Sequence, residues 1–245
     1  MIQKIKILTV LVAALTTAGA MYGQTATPKI SFYSTEENAF VEIGQGETKT
    51  VQAPCNITCT GNVEYDASEY DRVICEWKIF KENEGESHPF LDRYEQDAAY
   101  TLTESGGYGA KFYATFINTA NNDTVEYEMD DQISLVISES KLTCTDGLSP
   151  NDDGINDELK IECQSLVKVE GYIMNRWGKV LHTFNVQNIS DGWNGKVNGK
   201  PVKDGAYLLY IDAVGSDGLH YKIKKAINVM KGLREDADSG SVTGN

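Results

Sequence analysis

Residues 149–163 read SPNDDGINDELKIEC, and positions 151 to 157 hold five Asn or Asp side chains and one glycine. Calcium takes six to eight oxygens from carboxylates, amides and backbone carbonyls. Asn151, Asp153, Asn156 and Asp157 could supply several of these in one tight loop, with Gly154 allowing a sharp bend. The spacing is not that of an EF-hand, because the terminal Glu and the twelve-residue frame are missing. The preferred reading is a loop held by Asx-type side-chain-to-backbone bonds, with calcium as the alternative. On that reading no cofactor is needed.

Other reactive residue types form no recognised arrangement. His88, His182 and His220 have no metal-ligand spacing, and H-E-x-x-H, G-x-S-x-G and P-loop patterns are absent. Ser138 to Lys141 matches S-x-x-K, but its companion motifs are missing. The abundant carboxylates fall in turns and on polar strand faces, where solvated charge is the ordinary case. The expectation is a protein that is not an enzyme.

Five cysteines follow an N-terminal export signal. Lys4 and Lys6 precede the apolar run ILTVLVAAL, which gives way to the small residues TTAGA. That order is a secretory signal peptide over residues 1–23, and the run is too short to span a bilayer. Export to an oxidising space favours disulfides. The expected pairs are Cys144 with Cys163, and Cys75 with Cys55 or Cys59, one cysteine being left over. The alternative is that the three upstream cysteines pack as small hydrophobes. No later stretch is long enough to cross a membrane, so the mature protein is expected in the periplasm, on the cell surface or in the medium.

The elements that must position these residues read as β throughout. TVQAPCNITCT, RVICEWKIF, GYGAKFYATFI and QISLVIS alternate or run with β-branched and aromatic residues, separated by Gly, Asn, Asp and Ser clusters. Val73, Cys75, Trp77 and Ile79 share one face, and Tyr108, Ala110, Phe112, Ala114 and Phe116 share another. About seven such strands predict an immunoglobulin-like sandwich over residues 24–140. Charge divides the chain. Residues 24–140 carry 22 acidic and 7 basic side chains, and residues 141–245 carry 14 and 13. Neither balance suits nucleic acid, whose phosphates need basic patches.

The first half resembles a PKD-type or related Ig-like domain, on CEWKIF and ESGGYGAKFYATFINTANND, although the usual WDFGDG is absent. The second half resembles the gliding-motility-associated C-terminal domain, the type B sorting domain of type IX secretion. Four motifs carry that resemblance in order. They are Ser149 to Asp157, then Asn175-Arg176-Trp177-Gly178, then Trp193 to Gly195, then Asp204-Gly205 to Tyr207. The resemblance implies a β-sandwich over residues 141–232 that engages the export apparatus or an outer-membrane partner of the PorP/SprF type. Residues 233–245 read as a disordered polar tail, which would cover a secretion signal read at the very C-terminus. Trp177 and Trp193 could offer an aromatic platform to sugars, but the expectation is that both pack the sandwich and its turns. An adhesin or carbohydrate-binding module is the alternative function.

Overall fold

The computed structural model describes residues 23–230. All but the last residue of the expected signal peptide, and the whole expected tail, lie outside the described residues. The described chain is all-β, with one short 3-10 turn at Ile189–Asp191. Twelve strands precede position 140: β1 (Thr25–Ala26), β2 (Lys29–Ser34), β3 (Ala39–Gly44), β4 (Thr48–Val51), β5 (Cys55–Thr60), β6 (Val63–Glu64), β7 (Arg72–Lys81), β8 (Leu91–Arg93), β9 (Asp97–Leu102), β10 (Gly106–Asn118), β11 (Asp123–Glu128) and β12 (Ile133–Ile137). Nine follow: β13 (Lys141–Cys144), β14 (Gly147–Leu148), β15 (Ile161–Gln164), β16 (Leu166–Met174), β17 (Val180–Phe184), β18 (Lys196–Val197), β19 (Lys200–Pro201), β20 (Gly205–Gly215) and β21 (His220–Val229).

The first set forms a sandwich. A sheet in the order β3-β2-β5-β9 lies over a sheet in the order β4-β12-β10-β7-β8, with β11 also on β10. The two apolar faces expected from the sequence meet residue for residue in the β7–β10 pair. Ile79 lies opposite Ala110, Trp77 opposite Phe112, Cys75 opposite Ala114 and Val73 opposite Phe116. Trp77 and Phe112 are fully buried, with ring centroids 4.9 Å apart. The Trp77 indole N–H donates to the Gln96 carbonyl at 3.0 Å, so the ring is buried with its polar atom satisfied.

TVQAPCNITCT does not form one strand, as its pattern suggests. It splits at 52–54 into β4, which pairs parallel with β12, and β5, which joins the opposite sheet. Pro54 lacks the N–H that a continuous ladder needs, and the split lets one segment serve both layers. This break and several short edge strands raise the count from about seven to twelve.

The second set repeats the plan in reduced form. Its main sheet runs β14-β21-β20-β16-β17, with a short strand parallel to the last long one, as β4 is to β12. The β13–β15 pair and an isolated bridge between Leu159 and Trp193 cover it and enclose a second core around Leu159, Ile173, Leu209, Ile211 and Ile227. The same corner device recurs in both sets. The Tyr108 hydroxyl donates to the Glu104 carbonyl at 2.9 Å, and that of Tyr207 to the Lys203 carbonyl at 2.6 Å. Each tyrosine follows a glycine two positions earlier with φ of +126° or +146°, which starts the long strand. A tyrosine pinned to backbone a few residues upstream is the corner of immunoglobulin-like sandwiches.

Serines dominate the hydrogen bonds between the two sets. The buried Ser165 hydroxyl accepts from the Ala53 N–H at 3.2 Å and shares a hydrogen bond with Ser138 at 2.7 Å. The Ser216 hydroxyl donates to the Ser138 carbonyl, while the Ser216 carbonyl accepts from the Ser105 N–H. Ser138, the first residue of the S-x-x-K match, thus has a role in this junction.

Candidate functional site: the far pole of the second sandwich

Strand direction decides where the motifs go. β16 leaves the junction at Leu166, opposite Gly215, and ends at Met174, opposite Leu208. Residues 175–178 and 204–207 therefore share the pole away from the junction. β21 ends beside the start of β20, Val229 lying opposite Gly205, and parallel β14 sets Leu148 beside Val229. The loop from Ser149 to Asp157 then opens at the same pole. Trp193 joins it through its bridge to Leu159. Four motifs spread over about sixty residues of sequence converge on one end of one sheet.

Asp157 organises the acidic loop. Its Oδ1 accepts the N–H of Asn151 at 3.1 Å and of Asp152 at 2.8 Å, and its Oδ2 accepts that of Gly154 at 2.7 Å. Burial pushes its carboxyl up, but the backbone N–H groups outweigh that and hold it below the usual carboxylate range. Asp153 Oδ1 accepts from the Ile155 N–H at 2.7 Å, and Asn151 Oδ1 accepts from the Asp153 N–H at 3.2 Å. Asn156 contributes its carbonyl to the Ser149 N–H, with a left-handed φ of +55°. Three of the four proposed calcium ligands thus direct side-chain oxygens at the loop's own backbone. Among the described residues, no group of three or more His, Cys, Asp or Glu is placed to hold a metal ion.

The two tryptophans of the pole have opposite fates. Trp193 is buried, sits edge-on to Tyr207 at 5.9 Å and donates to the Lys196 carbonyl at 3.1 Å. Gly195 carries φ of +70°, and a Cβ there would meet the Pro150 ring at 3.1 Å and Leu148 at 3.2 Å. The third motif is therefore packed against the first, and through Trp193 against Tyr207 of the fourth. Trp177 is the correction: it is 82% exposed and does not pack the sandwich. Asn175 Oδ1 accepts the N–H of both Trp177 and Lys179 at 3.0 Å, which closes the turn without the ring. Arg176 is exposed beside it, and its charge is felt at Tyr207. Ile155, Val180 and Met230 are also exposed at this pole.

The expected disulfides are not formed, all five cysteines being free. Cys163 lies opposite Leu142 and Cys144 opposite Ile161, so the two cysteines are diagonal rather than directly opposed. Diagonal neighbours sit about 7–8 Å apart, beyond the usual disulfide reach. Cys55 and Cys59 are on one sheet and Cys75 on the other, each within the first core. Burial pushes the Cys55 thiol up to about 11 and Cys59 up to about 12. A separate cleft of 820 Å³ runs between the sandwiches, lined by Tyr33, Glu36, Gln52, Gln164 and Gln187 among others.

Residues 142–228 match the CHU_C type IX secretion signal domain. The match spans all four motifs and supports a protein exported by type IX secretion to the surface or the medium, in contact with the secretion machinery. Among curated proteins none matches. Three solved structures show slight likeness, each at a TM-score of 0.25. They are dimeric latent PorU from Porphyromonas gingivalis (11% identity, 84% of this chain and 20% of that one), a tetra-tandem repeat in the extending region of a large adhesion protein (9%, 86% and 68%), and the FN1–FN3 domains of chicken CNTN1 (12%, 83% and 77%). This chain spans a fifth of the PorU chain, and at such scores none of the three bears on what it does. Among the described residues, no helix is long and apolar enough to cross a membrane.

Proposed function

We propose that the chain is an exported, non-enzymatic surface protein that docks through the far pole of its second sandwich. The partner is the type IX export apparatus or an outer-membrane protein of the PorP/SprF type, and the acidic PKD/Ig-like sandwich is the displayed part. The carrying observation is Trp177, an exposed indole on a turn that does not need it, with Ile155 and Met230 exposed at the same end. An exposed indole is the kind of anchor that interfaces use, tryptophan being enriched among the residues that carry binding energy. The acidic loop serves as a rigid Asx-bonded rim beside them and not as a calcium site.

The test expresses the full chain in a type IX-secreting bacterium and blots surface and medium fractions. Trp177→Ala should keep the wild-type melting temperature and lose most surface display. Unchanged display would reject the pole as the docking site. A second reading, glycan binding, is favoured by the inter-sandwich cleft, where half-exposed Tyr33 stands among amide side chains. Glycan-array retention lost in Tyr33→Ala would support it.

A further inference from the structure

Of the sheet edges that lack a strand neighbour among the described residues, β21 and β11 carry the charge patterns that complement each other. β21 is ten residues long, yet it meets β14 only at Asn228 and Val229. From His220 to Ile227 it is laddered on the β20 side alone. β11 pairs with β10 and with no other strand. Such an edge presents a row of N–H and C=O groups ready to pair with another chain.

The two edges carry opposite charge at the same spacing. On β21 the exposed residues His220, Lys222, Lys224 and Ala226 alternate with half-buried Tyr221, Ile223 and Lys225. On β11 the exposed residues Thr124, Glu126 and Glu128 alternate with half-buried Val125 and Tyr127. Lys222 reaches Asp212 at 3.4 Å, but that pair is exposed and so weak. Lysines on one edge set against lysines on another repel, as do glutamates against glutamates. Each edge therefore opposes pairing with its own kind and favours the other.

We propose that β21 of one copy adds to β11 of a second copy, continuing the sheet between them. Glu126 and Glu128 then face Lys222 and Lys224 across the new ladder, and Val125 and Tyr127 continue the apolar face of Tyr221 and Ile223. The two surfaces differ, so a joined pair retains a free β11 edge on one copy and a free β21 edge on the other. The contact is head-to-tail and propagates into open chains or a ring rather than stopping at a dimer. The surrounding charge disfavours pairing of two β11 edges, since residues 24–140 carry 22 acidic against 7 basic side chains while residues 141–245 are nearly balanced.

The experiment measures the mass of the mature chain by sedimentation across concentration and salt. Oligomers beyond the dimer should grow with concentration and shrink as salt screens the facing charges. Lys222→Glu with Lys224→Glu should be monomeric, and so should Glu126→Lys with Glu128→Lys. An equimolar mixture of these two variants should recover the oligomers, because every new contact again joins opposite charges. All substituted residues are exposed, and circular dichroism melts will separate lost association from lost folding. A monomer up to the solubility limit, a closed dimer, or charge variants that associate like the wild type would each overturn the proposal. So would association that arises only when residues 231–245 are deleted, since the edge would then belong to the chain's own C-terminus.

Discussion

Asp157, more than any other acidic residue of the loop, holds the pole in shape, because three backbone N–H groups converge on one carboxylate. Asp157→Ala should lower the melting temperature by more than Asp153→Ala, with or without calcium. A calcium site would behave otherwise: a ligand that binds only the folded state raises the melting temperature by mass action. A wild-type melt that rises with calcium and falls back with chelator would turn Asn151, Asp153, Asn156 and Asp157 into ligands. The cysteines give a second residue-scale prediction. The thiolate is the reactive form, and burial raises the thiols of Cys55, Cys59, Cys75 and Cys163. Alkylation of native protein near neutral pH should leave Cys55 and Cys59 unmodified until denaturant is added, with Cys144, the half-exposed β13 thiol, reacting first. Peptide mapping that found Cys59 labelled in native protein would contradict its place in the core.

β17 carries a pH-sensitive side chain. His182 packs against Phe184 at 4.7 Å, and its Nε2 is buried without a hydrogen-bond partner among the described residues. Burial lowers its proton affinity below the ordinary histidine value, while Asp191 nearby pulls the other way. The folded state therefore prefers the neutral ring. Its contribution to stability is complete above the unfolded value of about 6.5 and is lost as pH falls through the lower folded value. Chemical denaturation from pH 7.5 downward should show this loss beginning below about pH 6.5. His182→Gln should flatten that part of the profile, and an unchanged profile would assign the slope to other groups. At this scale the sequence was legible wherever one face of a strand is buried. Alternation put Trp77, Ile79, Phe112 and Phe116 on inward faces, and all four are buried. It failed at β4 and β5, whose common β-rich pattern does not reveal that they belong to different sheets. It failed again at Trp177, because an aromatic residue beside a turn glycine looks the same buried or exposed. The loop, by contrast, was legible as Asx chemistry because its side chains bond locally. The serine junction gave no signal, since each contact joins positions far apart in sequence.

At the scale of the whole molecule, two hydrophobic cores meet across a junction made largely of polar bonds. Val167 packs against the first core, but Ser138, Ser140, Ser165 and Ser216 supply most of the side-chain hydrogen bonds between the halves. Hydrogen bonds of this kind each add about 0.5–1.5 kcal/mol, far less than an enclosed core. Each half should therefore fold without the other. We expect residues 24–140 alone to unfold cooperatively, with a melting temperature that rises with salt as its net charge of -15 is screened. In the full chain, Ser165→Ala leaves the Ala53 N–H without its partner and should cost about 1–3 kcal/mol. If each half folds by itself, Ser165→Ala should weaken only the coupling between them, moving the first half's transition in the full chain toward that of the isolated 24–140 fragment. Calorimetry on the full chain, the variant and the fragment separates these terms. A 24–140 fragment that is unfolded by circular dichroism and rapidly degraded by protease would show that the acidic sandwich depends on its neighbour, and that the boundary at 140 cuts through one folding unit.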